Sequence, residues 1–324
     1  MLPAASLSPK GVYTRRVHAE SASRTLPRRH ALELSPERFR RLALAATGML
    51  VVVVATGATV RLTGSGLGCQ HWPGCQPNVF FPARGYHSDI EFSNRVVASL
   101  TVLATLLLAA GALVTRPLSR GGKVLAGLVF AGTAAQAVLG PITIHYHLNP
   151  WLVLTHLLLS LVVLGLAVVV LLESTRVVRG GSPALPARVQ ALGAVLLAAV
   201  GVLVVTGTLA TAAGPHPGSQ VVERIGSFQP SVALHVRATA AFGITFLLLC
   251  AWAWRERARR PWLLRGCLGL LALLAAQMAI GETQYRTGLP WWLVLVHVAV
   301  AASVFGWTVG LVARLWRPLA PGSA

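Results

Sequence analysis

Eight runs of about 20 predominantly apolar residues, parted by polar connections, dominate the chain, and a helical run of that length spans about 30 Å of hydrocarbon. They lie near 42–60, 93–115, 122–143, 151–173, 189–212, 231–254, 262–281 and 291–313, which predicts eight transmembrane helices. The connections alternate in basic content. The N-terminal tail, the stretches 116–123, 176–188 and 255–265, and the pair Arg314 and Arg317 hold 22 Lys and Arg; the other side holds six, Arg61, Arg84, Arg95, Arg224, Arg237 and Arg286. Cytoplasmic loops carry the basic excess, so both termini are expected in the cytoplasm. Only 11% of the residues are charged and 55% are hydrophobic, against about 25% charged in soluble domains, and the mean hydropathy is +0.67. A water-soluble enzyme and a disordered chain are both excluded. A net charge of +19 would suit nucleic acid only if it gathered on one folded face; here apolar runs separate the basic residues, so membrane lipid is the expected partner and nucleic acid is not.

Residues 1–41 read as a basic cytoplasmic tail. Their Arg and Ser would also fit an organellar transit peptide, but Glu20, Glu33 and Glu37 argue against it. No cleavable signal peptide is visible, and the first span serves as its own anchor. Beyond the tail the chain repeats itself. A shift of 141 positions lays Ala134-Ala135-Gln136 on Ala275-Ala276-Gln277, Gly140 on Gly281, Trp151-Leu152-Val153-Leu154 on Trp292-Leu293-Val294-Leu295, His156 on His297 and Asn94 on His235. Thr56-Gly57 and Thr206-Gly207 correspond at a shift of 150, so the first outer loop is about nine residues longer than its counterpart. Four helices per half is an even number, which makes the repeat parallel about an axis along the membrane normal. The expected fold is an all-α polytopic membrane protein of eight transmembrane helices, arranged as two pseudo-twofold-related four-helix bundles, 42–173 and 189–315.

Histidine carries the chemistry. His156, His235 and His297 lie within spans, each about two turns from the outer end, at repeat-related positions. An ionisable residue inside a span is costly and is a functional candidate by default. The second half offers two imidazoles at similar depth on two helices, which suits bis-histidine ligation of a haem iron. Zinc would need three or four ligands, and no third is evident at that depth. The plainer reading, polar residues bonded across helices, is worth only about 0.6 kcal/mol per bond and accounts less well for three related positions. In the first half the pair becomes Asn94 and His156, so a haem there keeps one axial position open. Glu91 shares a helical face with Asn94; it is a candidate general base or electrostatic group, with an i, i+4 ion pair to Arg95 as the structural alternative. Gln136 and Gln277 read as interhelical hydrogen-bonding groups, and His71, His87, His145 and His147 as loop histidines at the outer side. Arg95 and Arg237 are placed to meet haem propionates or to snorkel to the interface.

The first outer loop runs Thr63-Gly64-Ser65-Gly66-Leu67-Gly68-Cys69-Gln70-His71-Trp72-Pro73-Gly74-Cys75. A Cys69–Cys75 disulfide closes a short ring and adds roughly 2 kcal/mol in the chain-entropy picture, with a redox-active pair as the alternative to a structural one, while Cys250 and Cys267 fall on the cytoplasmic side as free thiols. With Thr56-Gly57-Ala58-Thr59-Val60-Arg61-Leu62, Trp72-Pro73, Glu91 to Arg95, Gly214-Pro215-His216-Pro217-Gly218 and the span histidines, this loop resembles the haem A synthase family over residues 42–315. The resemblance implies a haem b held by His235 and His297 in the C-terminal half. It implies an N-terminal half that takes haem O as substrate and oxidises its C8 methyl to the formyl group of haem A, with Glu91 needed for turnover and His156 as a substrate-side ligand. Asn94 departs from the family pattern, which has a second histidine there, so a monohistidine or water-completed iron is expected in the first half. The resemblance further implies the bacterial plasma membrane, a haem O synthase and an electron donor as partners, and a role in cytochrome oxidase assembly; a homo-oligomer is left open. The alternative is a non-catalytic dihaem b-type electron carrier.

Overall fold

The structure, a computed structural model, describes residues 1, 33–69, 71–219 and 224–320; most of the 1–41 tail and the end of the chain from residue 321 lie outside the described residues. From Leu34 onward the chain forms one compact unit. Eight helices cross it: α1 Pro36–Leu62, α2 Tyr86–Val114, α3 Arg120–His145, α4 Pro150–Arg179, α5 Ala187–Ala213, α6 Phe228–Arg255, α7 Pro261–Arg286 and α8 Trp291–Trp316. All eight are long and apolar enough to span a membrane. The shortest has 26 residues, about 39 Å at 1.5 Å per residue, so the helices overrun the apolar runs by a turn or two at their ends.

Capping chemistry explains where several of them begin. Ser35 Oγ accepts from Arg38 N–H with Pro36 in the first turn of α1. Ser119 Oγ accepts from Gly122 N–H at α3, and Asn149 Oδ1 accepts from Trp151 N–H ahead of Pro150 at α4. Each satisfies an orphan amide that lipid cannot. α3 was expected to stop near 143 but continues through Pro141 to His145, because proline removes only one amide donor and membrane helices tolerate that. His145 is thus the last helical residue and not part of the connection.

The α3–α4 turn is tight. His147 and Leu148 both have positive φ, 49° and 59°, a conformation non-glycine residues hold only when the surroundings fix it. Leu148 N–H closes the end of α3 on Thr143 O at 2.8 Å, and its buried side chain lies against the outer loops.

Within residues 34–179 each helix packs on its chain neighbours, and α1 closes on α4; within 187–316 the same ring forms, with α5 closing on α8. α2 and α4 are therefore diagonal to one another, as are α6 and α8. The two rings meet through α1, α4, α5 and α8. One apolar core fills the first ring around Phe39, Leu50, Leu108, Val129, Leu164 and Val170. A second fills the other around Leu196, Phe242, Phe246, Leu249, Leu270 and Leu315. At the end opposite the α1–α2 loop, buried Glu173 of α4 pairs with Arg317 at 2.8 Å.

Candidate functional site

A cavity of about 680 Å³ opens in the first ring, bounded by α1, α2, α3 and α4 and roofed by the α1–α2 loop. Its size falls within the range typical of cofactor and substrate pockets, about 300–1,000 Å³. Apolar residues of all four helices line it, among them Val54, Leu103, Leu157 and Val163, with Trp72, Pro73 and Phe80 from the loop. The polar groups that reach it include Glu91, Asn94, Arg95, Gln136, His156 and Arg61. Glu91, Asn94 and His156, singled out by position in the sequence, therefore share one chamber. His71, His87, His145 and His147 are not among its lining residues.

The loop roof is held by polar contacts that converge on α2. Buried Glu91 accepts from Cys69 N–H at 2.7 Å and from Arg95 at 2.6 Å. Arg95 also donates to the carbonyls of Cys69, His71 and Gly74. The Glu91–Arg95 ion pair thus exists, and its job includes pinning the loop; Cys69 and Cys75 are disulfide-bonded within the same segment. Gly68 is required by close approach, since a Cβ there would fall 2.4 Å from the His87 carbonyl oxygen. His87 Nδ1 lies 3.0 Å from Ser65 Oγ, so this histidine serves the loop.

Around the histidines the two halves make matching contacts. Thr56 Oγ1 donates to Asn94 Oδ1 at 2.7 Å, and Thr206 Oγ1 lies 3.3 Å from His235 Nδ1. Gln136 Nε2 donates to His156 O at 2.8 Å, and Gln277 Nε2 to His297 O at 3.0 Å. Each glutamine thereby fastens the turn that carries a histidine, as the repeat suggested. The first half adds Ser160, which accepts from Gln136 at 2.7 Å; a shift of 141 lands on Ala301. His235 and His297 sit on diagonal helices, each ring against a glycine of the preceding helix: a Cβ on Gly207 would lie 2.9 Å from His235 Cε1, and one on Gly281 3.0 Å from His297 Cε1.

The donor set of the second half, two imidazoles in one ring of helices, fits the ligand chemistry of a haem iron. The two histidines stand on diagonal helices of that ring, and the glycine cradles leave no slack behind the imidazoles. His297 Nδ1 is buried without a protein partner, as is His156 Nδ1 in the first half. A buried polar atom without a partner costs roughly 1–3 kcal/mol.

Residues 40–88 and 85–309 match the cytochrome oxidase assembly protein family, COX15-CtaA. The chain belongs to this family, that of the haem A synthases. A haem A synthase of Symbiobacterium thermophilum is 29% identical over 260 residues, covering 75% of this chain and 84% of the relative. One of Bacillus pumilus is 34% identical over 146 residues, 43% of this chain and 46% of the relative. A protoheme IX farnesyltransferase of Thermus thermophilus is 37% identical over 106 residues, 32% of this chain but only 17% of that protein. The chain thus spans less than half the length of several relatives it matches. Against this family background, sequence reasoning missed Arg61, Thr56 and Thr206 as site residues. Both threonines stood out in the repeat, and Arg61 lies inside the Thr56–Leu67 motif.

Proposed function

We propose that the protein is a membrane haem A synthase that oxidises the C8 methyl of haem O to a formyl group, by two successive hydroxylations and loss of water, in the chamber of the first half, the net four electrons and four protons being taken up by an external oxidant such as dioxygen. The observation that carries this reading is that chamber: in a member of the haem A synthase family, an apolar cavity of about 680 Å³ brings Glu91, Asn94 and His156 together. Two bundles, 42–173 and 189–315, related by a pseudo-twofold axis, are supported by the matched threonine and glutamine contacts. His235 and His297 would hold haem b. Such a haem would supply one-electron transfer, and the role of the two histidines would be to hold it in place.

The protein's own contributions follow from the geometry. His156 supplies one imidazole to the substrate's iron, and Asn94, fixed by Thr56, leaves the opposite side without a second imidazole. Glu91 holds a negative charge at the chamber wall beneath the roof. The apolar lining and the pinned loop exclude water, which strengthens every charge interaction inside. The orientation with both termini in the cytoplasm rests on the Lys and Arg asymmetry, and the bacterial plasma membrane is the proposed site. The segment shared with a protoheme IX farnesyltransferase supports a haem O synthase as the partner that delivers substrate; an electron donor completes the set.

The test is pigment extraction. Membranes holding this protein and a haem O supply gain haem A, and the purified protein releases haem b together with haem O or haem A. Equal b-type haem in both halves with no conversion would refute the reading in favour of an electron carrier.

A further inference from the structure

Arg61, near the C-terminal end of α1, is the one guanidinium in the chamber lining apart from Arg95. Arg95 is consumed by Glu91 and three loop carbonyls. Arg61 is not. Its Nη2 donates to Thr211 O of α5 at 2.8 Å, its Nε is buried without a partner, and among the described residues it forms no ion pair. The alkyl stem lies by Gly218, whose Cβ would come 3.6 Å from Arg61 Cγ, and Gly218 O accepts from Gly66 N–H at 3.2 Å. The guanidinium is therefore held in place from α5 and the outer connections and still has donors to spare. A buried cation without a counter-charge costs several kcal/mol unless something pairs with it.

The repeat sharpens the point. Arg61 and Thr211 are separated by 150 residues, the same shift that relates Thr56-Gly57 to Thr206-Gly207. The position that carries a cation in the first half carries a threonine in the second, and the two touch. The cation is thus specific to the chamber half.

We propose that Arg61 is a carboxylate-binding residue of the chamber, taking a propionate of the tetrapyrrole substrate and fixing which edge of the macrocycle faces the α1–α5 seam. The proposal rests on the substrate reading above. A guanidinium suits this task because it presents planar paired donors to a carboxylate, and a charge-assisted bond in a dry chamber is worth about ten- to hundredfold in affinity.

The experiment is a difference-absorbance titration of the purified holoprotein with ferric protoporphyrin IX and, separately, with its dimethyl ester, in wild type, Arg61→Gln, Arg61→Lys and His156→Ala. Expected is a ten- to hundredfold weaker binding of the free acid to Arg61→Gln, partial recovery in Arg61→Lys, and ester binding that is alike in wild type and Arg61→Gln. Equal affinity of wild type for acid and ester overturns the Arg61 assignment while leaving the haem reading intact, and it does so even if Arg61→Gln fails to fold. Failure of wild type to bind either form, with no change in His156→Ala, overturns the haem reading itself. Competition by phosphatidylglycerol micelles in wild type but not in Arg61→Gln would show that the cation holds a lipid headgroup, which also overturns the proposal.

Discussion

Glu91 is asked to do two things at once, and substitutions can separate them. Its side chain is buried, one oxygen taken by Cys69 N–H at 2.7 Å and the other by Arg95 at 2.6 Å. Glu91→Ala strips both and leaves a largely buried guanidinium beside an empty site. Breaking a buried pair by removing one partner costs about 3–5 kcal/mol, and here the loss falls on the loop that Arg95 holds by three carbonyls. Loop opening should become roughly a hundred- to five-thousandfold more frequent. Hydrogen exchange read at the Cys69 amide and across 71–80 measures this directly. Glu91→Gln keeps a carbonyl oxygen for one donor and loses the charge, so loop protection falls by only about ten- to hundredfold. If the carboxylate acts on substrate, haem A formation is lost in both variants; if it only pins the roof, Glu91→Gln stays active in proportion to its loop protection. Unchanged exchange at Cys69 in Glu91→Ala would refute the pinning argument outright.

Other expectations follow from single contacts. Gly207→Ala places a Cβ 2.9 Å from His235 Cε1 and should lower the b-type haem retained on purification, while Gly48→Ala, with nothing within 4 Å, should leave the pigment spectrum unchanged. Thr206→Val removes the hydroxyl 3.3 Å from His235 Nδ1; about 1 kcal/mol of orientation is lost, seen as a shifted haem midpoint potential at near-normal haem content. Arg317→Ala leaves buried Glu173 without its partner at 2.8 Å. It should cost about 1–3 kcal/mol, lowering Tm in detergent without altering haem binding.

The spans were readable because lipid permits so few solutions: an apolar run of sufficient length must become a helix, and all eight did. That His235 and His297 share one ring, and Asn94 and His156 the other, was readable because the repeat converts one observation into two. What escaped were groups whose importance lies in a contact distant along the chain. Thr206 matters for a bond to His235 that no local pattern announces. Arg61 reads as an ordinary interfacial arginine until Thr211 is found beside it. Glu91 was flagged with two rival roles, general base or ion pair to Arg95, and the structure adds a third that needs the folded loop, acceptance from Cys69 N–H.

The two halves share only a minority of their residues, so the polar positions that do align are where their division of labour can be read. Going from the second half to the first, the histidine at 235 becomes Asn94, Ala301 becomes Ser160, and Thr211 becomes Arg61. The first change removes an imidazole, and the other two add a hydroxyl and a cation. All three first-half residues line the same cavity, while the glutamines that fasten the histidine turns are kept in both halves. A duplicated electron-carrying bundle would gain nothing from a buried cation. The added cation and hydroxyl suit a chamber that holds a macrocycle with charged edges, and the Asn94→His variant probes the remaining difference, since it restores an imidazole at the position aligned with His235. It should bind substrate haem more tightly and turn it over more slowly, and faster turnover in that variant would show that the asymmetry serves something else.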